Sequence, residues 1–117
     1  MKIKYPNRTE YRNKQAQLHK IDGPAVIYKN GAQAYYRNGQ RHRTDGPAII
    51  TSNRAQAYYQ NGKLHREDGP ALVFPNGTQY YYQNGQYTEQ MDLLLFVQME
   101  HNLIIKTENF TELTDLL

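Results

Sequence analysis

Apolar and polar positions recur with a period of 23 along residues 18–86, in three consecutive copies: 18–40, 41–63 and 64–86. In the first copy, Pro24-Ala25-Val26-Ile27-Tyr28 and Gln33-Ala34-Tyr35-Tyr36 are rich in β-branched and aromatic residues. Between them lies Asn30-Gly31, a dipeptide that tolerates the positive φ angles of a type I′ turn, so each copy is predicted to be a β-hairpin. The third copy repeats this with Asn76-Gly77, whereas the second has Asn53-Arg54. There, either Arg54 takes a costly left-handed conformation or the turn is longer, and this hairpin is expected to be the irregular one.

Each copy also carries Asp-Gly-Pro, at Asp22-Gly23-Pro24, Asp45-Gly46-Pro47 and Asp68-Gly69-Pro70. Asp bonds the backbone ahead of it, Gly supplies an unusual φ, and Pro is tolerated at the first residue of a strand. The block reads as the turn that starts each hairpin. Strand alternation puts Ala25 and Ile27 on one face and Val26 and Tyr28 on the other, so both faces carry apolar groups and neither should be wholly solvated. A degenerate half-copy precedes the array: residues 5–10 resemble 74–79, and Tyr11-Arg12-Asn13 resembles Tyr36-Arg37-Asn38. Array ends need such polar, atypical units.

After Tyr87 the period ends. Residues 89–100 read as a helix with Thr88 as N-cap and acids in its first turn. Leu103-Ile104-Ile105 fits a short strand or a helix end, and residues 107–117 read as a second helix with Phe110, Leu113, Leu116 and Leu117 on one side. The first helix is apolar over most of its circumference and must be buried. Through Leu94, Leu95, Phe96 and Met99 it either caps the last hairpin or forms a homodimer contact. The predicted fold is mainly β. An antiparallel meander of about three and a half hairpin repeats (residues 1–87) is followed by a C-terminal α-helical segment (88–117), the two forming one structural unit.

Charge divides along the same boundary. Residues 1–87 hold thirteen Lys/Arg against five Asp/Glu, a net of +8, and residues 88–117 hold one against six, a net of −5; together these make the overall +3. The cationic array suits an acidic partner, or is the ordinary charged surface of a polar sheet. Cysteine is absent, which rules out disulfides and thiolate chemistry and fits a reducing compartment. The longest apolar run, Leu93-Leu94-Leu95-Phe96-Val97, is far short of the ~30 Å hydrocarbon core of a bilayer. With no signal-type start, the protein is expected to be soluble and cytoplasmic, with no membrane partner.

The 23-residue spacing, the Tyr-Tyr-x-Asn-Gly segment and the following His resemble MORN-type repeats. The stretch Leu64-His65-Arg66-Glu67-Asp68-Gly69-Pro70-Ala71 is more similar to a divergent MORN-like family of bacteriophage and bacterial proteins, over roughly residues 5–90. The chain departs from MORN repeats in having Asp-Gly-Pro where a Gly-x-Gly follows the His, and in having no Trp. The resemblance implies a scaffold that binds a host or assembly protein. For a phage-type protein it implies an inhibitor of host defence, anti-CRISPR-like in kind, acting in the host cytoplasm.

His19, His42 and His65 share one repeat position. Successive hairpins advance about 9–10 Å, while zinc ligands lie about 2 Å from the metal, so the three cannot share an ion and no metal site is expected. A bond from each imidazole to the Asp three residues on would stabilise the turn instead. No phosphate loop, nucleophile elbow or HExxH motif is present, so neither a cofactor nor catalysis is expected. Tyr35, Tyr36, Tyr58, Tyr59, Tyr81 and Tyr82, with Arg37, Arg41 and Arg43, are the candidate partner-binding residues. Tyr80, Arg54, Lys63 and Arg66 lie nearby. Tyrosine and arginine anchor protein interfaces; the alternative is a nucleic acid, with rings stacking bases and cations holding phosphates.

Overall fold

The computed structural model describes residues 1–91, with side chains through Thr88. Its strands are short and antiparallel, and no helix occurs among the described residues. Strands β1 (Lys2–Tyr5) and β2 (Arg8–Tyr11) form the first hairpin. β3 (Val26–Tyr28) and β4 (Gln33–Ala34) follow, and β5 (Tyr36–Arg37) with β6 (Gln40–Arg41) makes a separate small hairpin. The second copy repeats this as β7 (Ile49–Ile50), β8 (Gln56–Ala57), β9 (Tyr59–Gln60) and β10 (Lys63–Leu64). The third has β11 (Leu72–Val73), β12 (Gln79–Gln83) and β13 (Gln86–Met91). Among the described residues the main sheet has nine strands in the order β1-β2-β3-β4-β7-β8-β11-β12-β13, and β5-β6 and β9-β10 are separate two-stranded sheets.

Each of the first two copies therefore contains two hairpins rather than the single one expected. The chain leaves the main sheet at a tyrosine. The Tyr35 N–H donates to the Ala48 carbonyl of the main sheet at 2.6 Å, and its own carbonyl accepts the His42 N–H of the side hairpin at 3.0 Å. Tyr58 does the same between Ala71 and His65, and Tyr11 between Ala25 and His19. Tyr11 is thus the counterpart of Tyr35, not of Tyr36 as its neighbours suggest. The first unit has a shorter tip at Pro6-Asn7 and one residue more in the loop at 13–17, where Asn13 N–H bonds the Gln17 carbonyl and Ala16 is left-handed (φ 63°).

The type I′ turns lie elsewhere than at the Asn30-Gly31 position where they are predicted. Asn38-Gly39, Asn61-Gly62 and Asn84-Gly85 have positive φ at both residues (48–52° and 81–82°), the type I′ signature, and they close the side hairpins and the far end of β12-β13. At the main-sheet tips only the second residue is left-handed, Gly31 at 95°, Gly77 at 91° and Arg54 at 71°. This is a turn followed by a single left-handed residue, and Arg54 keeps its bonds: Arg54 N–H to the Thr51 carbonyl matches Gly31 to Tyr28. The second tip is not lengthened.

Burial follows the register. Glu10, Val26, Ala34, Ile49, Ala57, Leu72 and Tyr80 form one cross-strand row, in which Glu10, Val26, Ala34 and Ala57 are buried. Ala25, Ala48 and Ala71 are wholly buried, while Ile27, Tyr28 and Phe74 are exposed. The deep positions are mostly alanines. Repeated main-chain and side-chain hydrogen bonds therefore carry much of the stability.

β13 continues through Met91, so residues 88–91 extend a strand where a helix start was expected, and the Thr88 hydroxyl donates to the Tyr81 carbonyl at 2.9 Å. The rest of the predicted helices, with Leu94, Leu95, Phe96 and Met99, lies outside the described residues. Among the described residues no helix is long and apolar enough to cross a membrane.

Candidate functional site: clefts between successive repeat loops

The Asp-Gly-Pro loops are built around a cation. In each copy the residue after the His projects beside the hinge tyrosine of the preceding unit: Lys20 Nζ lies 3.8 Å from the Tyr11 ring centre, and the Arg43 and Arg66 guanidinium carbons lie 4.0 Å from Tyr35 and Tyr58. Arg43 also donates to Asp45 at 3.1 Å and to the Pro47 carbonyl at 3.2 Å; Arg66 meets Asp68 at 3.4 Å and the Pro70 carbonyl at 3.2 Å. The loop glycine explains itself here. The unusual φ expected of this glycine is not a left-handed one at Gly46 or Gly69, but a Cβ at Gly46 would stand 2.9 Å from the Arg43 guanidinium carbon, and one at Gly69 3.0 Å from that of Arg66. Glycine leaves room for the cation.

The spaced histidines hold the type I′ turns. Nδ1 of His19, His42 and His65 accepts the N–H of Asn38, Asn61 and Asn84 at 2.9–3.0 Å, and the following glycine donates to the carbonyl just before each His. The turn aspartates were expected as imidazole partners, but Asp45 and Asp68 pair with the arginines instead. Each histidine is thus tied to a turn 19 residues ahead. Among the described residues no group of three or more His, Asp or Glu is placed to hold a metal ion.

Between consecutive loops the same cleft is built twice. One, of about 310 Å³, is lined by Lys20, Asp22, Tyr35, Arg37, His42 and Asp45. The other, of about 530 Å³, is lined by Asp45, Tyr58, His65, Arg66, Glu67 and Asp68. Arg43 borders both. The rim carboxylates point to solvent, with Asp45, Asp68 and Glu67 side chains 84%, 89% and 83% exposed.

The predicted partner-binding residues separate into two places. Tyr35, Arg37, Arg43 and Tyr58 line the clefts. Tyr36, Arg41 and Tyr59 lie on the side hairpins, where Arg41 faces Tyr36 across β5-β6 and donates to the Tyr59 hydroxyl at 3.3 Å. Hydrogen bonding to Tyr36, ahead of Tyr59, pushes the Arg41 pKa further up, so its charge is fixed. Tyr81 is at the bulge of β12, and Tyr82 packs edge-on against Tyr87 at 5.5 Å. Sequence reasoning missed Lys20 and the loop carboxylates as parts of one assembly. The signal was present, since a cation follows every repeated His and an Asp follows two residues later. No protein-family model matches this chain, and no curated protein or solved structure matches it either.

Proposed function

We propose that the array is a non-enzymatic protein-binding module that receives an elongated protein surface along its row of clefts. The observation that carries this reading is the repetition of one cleft, with a tyrosine wall, a clamped arginine and exposed carboxylates, at the repeat spacing. Fixed charges of both signs beside aromatic walls suit a polypeptide, whose side chains also carry both signs. The exposed carboxylates work against a phosphate backbone, and two of the cleft arginines are already committed within the fold. The family resemblance extends the proposal to an inhibitor of a host protein, acting in the cytoplasm. In the same reading, residues 88–117 supply the cap or dimer contact through Leu94.

A pull-down with the intact chain tests this. One stoichiometric protein partner is expected, lost on Asp45→Lys/Asp68→Lys and on Arg37→Glu. Retention of the partner by these folded variants overturns the cleft assignment. Oligonucleotide binding that falls steeply with salt would replace a protein partner by a nucleic acid. For the tail, Leu94→Asp is expected to give a folded monomer if it dimerises and an unfolded product if it caps.

A further inference from the structure

We propose that Asn30 and Asn76, at the tips of the first and third main-sheet hairpins, are sites of spontaneous conversion to aspartate and isoaspartate, and that the three Asn-Gly pairs of the type I′ turns, at 38, 61 and 84, are protected. The inference stands apart from the binding reading. Five Asn-Gly pairs occur in the chain, at 30, 38, 61, 76 and 84, so local sequence alone treats them alike. All five asparagines are exposed, so exposure does not separate them either. Their hydrogen bonds do.

The reaction needs the glycine backbone nitrogen. It gives up its proton to hydroxide and bonds to the Asn Cγ; the Cγ–Nδ2 bond breaks, and ammonia leaves with a proton from water. Water then opens the cyclic imide at either carbonyl, giving aspartate or isoaspartate. The net change is uptake of one water and loss of one ammonia, with no oxidant or reductant.

In the type I′ turns that nitrogen is held from a distance. Gly39, Gly62 and Gly85 donate to the carbonyls of Leu18, Arg41 and Leu64 at 2.8–2.9 Å, and the adjacent Asn38, Asn61 and Asn84 amides donate to the histidines. Freeing the glycine N–H there means detaching the turn from a segment about twenty residues earlier in the chain. At the tips, Gly31 and Gly77 donate only to Tyr28 and Phe74, three residues back, at 3.0 Å. Freeing that nitrogen breaks no bond to another strand, though in the first tip Lys29 also donates to the Asn7 carbonyl of the β1-β2 turn.

A second feature adds to this at the tips and separates them from Asn61 and Asn84. Asn38 Oδ1 also accepts a bond, from the Asn13 side-chain amide at 3.2 Å, so there the hold on the glycine nitrogen alone makes the difference. Oδ1 of Asn30 accepts the Ala32 N–H, and that of Asn76 the Thr78 N–H, both at 3.0 Å. A donor on that oxygen stabilises the negative charge that develops there as Cγ is attacked. The second tip supplies a control within the same fold. Asn53 accepts the Ala55 N–H at 3.2 Å, and the Thr51 hydroxyl besides, but the attacking nitrogen belongs to Arg54, a residue with a side chain where the other tips have glycine. The product would place a new carboxylate on both flanking tips and none on the middle one.

The test is incubation of the intact folded protein at mildly alkaline pH, followed by peptide mapping for the mass increase and by enzymatic detection of isoaspartate. Asn30 and Asn76 are expected to react about tenfold or more faster than Asn38, Asn61 and Asn84, the factor for ~1.4 kcal/mol of extra opening free energy. Arg54→Gly is expected to bring Asn53 to the rate of the other tips. Similar rates at all five Asn-Gly pairs in the folded protein, or faster reaction at Asn38, Asn61 and Asn84, overturn the proposal. So does persistence of the same ranking in denaturant, where the five sites are expected to converge.

Discussion

Nδ1 of His65 accepts the backbone N–H of Asn84 at 3.0 Å, joining residues 19 positions apart across the side of the array. The proton of the neutral imidazole therefore lies on Nε2, which faces Glu67 Oε1 at 3.6 Å. His65 is buried, unlike its half-buried counterparts His19 and His42. Its replacement removes a buried acceptor and leaves the turn amide unpaired. His65→Ala is expected to cost about 1–3 kcal/mol, more than His19→Ala at the array's end. Equal denaturation midpoints for the two variants would show that burial does not set the worth of this bond.

The 23-residue period, the β character and the placement of Asp-Gly-Pro ahead of each strand were legible because they are local and recur. The side hairpins were not. Alternation is interrupted at Tyr35 and Tyr58, where the chain passes from one sheet to another, so Tyr-Tyr-x-Asn-Gly looks like the end of a single strand. Asn-Gly itself serves two turns here, type I′ at Asn38-Gly39 and a single left-handed glycine at Asn30-Gly31, and only the strand register tells them apart. The histidine role was hidden for a related reason. A bond over 19 residues leaves no trace in local spacing, whereas His-x-x-Asp invited a short-range pairing. The Tyr–Arg clefts were half visible: their residue types stood out, but the loop acids and the space left by glycine belong to tertiary packing.

Gly46→Ala tests whether the loop glycine exists to admit the cation. Its φ is outside the left-handed region, and the nearest atom to the added methyl is the Arg43 guanidinium carbon, at 2.9 Å. That group is clamped by Tyr35, Asp45 and the Pro47 carbonyl and cannot simply swing aside. A loss of about 1 kcal/mol is expected, the low end for overpacking. Gly23→Ala should be near neutral, because the nearest atom is the flexible Lys20 Nζ at 3.7 Å. In an Arg43→Ala background the cost at Gly46 should vanish; an undiminished cost would point to the backbone.

Arg54→Gly should stabilise the protein. At the equivalent Gly31 no atom lies within 4 Å of the place a Cβ would occupy, so the tip has space for arginine and only the left-handed φ of 71° is unfavourable. Relief of that conformation is expected to gain about 1 kcal/mol, read as a higher denaturant midpoint with unchanged slope. A lower midpoint would show that the Arg54 side chain makes a contribution larger than its backbone strain.

Glu10 makes the fold's stability depend on acid. It stands in the row where Ala34 and Ala57 stand in later units, yet it is buried, with its oxygens held by Arg8 at 2.7 Å and Arg12 at 2.8 Å. The Arg8 hydrogen bond, against the cost of burial and with help from Arg12, lowers its pKa below the usual carboxylate range. A depressed folded-state pKa means that the stabilisation is fully present above the unfolded value and is lost as pH falls through the folded one. Both arginines are partly exposed and the pair lies next to the sheet's edge strand, so screening trims the effect to about 1 kcal/mol. Glu10→Gln is therefore expected to destabilise the protein by that amount at neutral pH. The gap from wild type should close as the solution is acidified below the carboxylate range. A constant gap across that titration would assign the effect to packing of the side chain rather than to its charge.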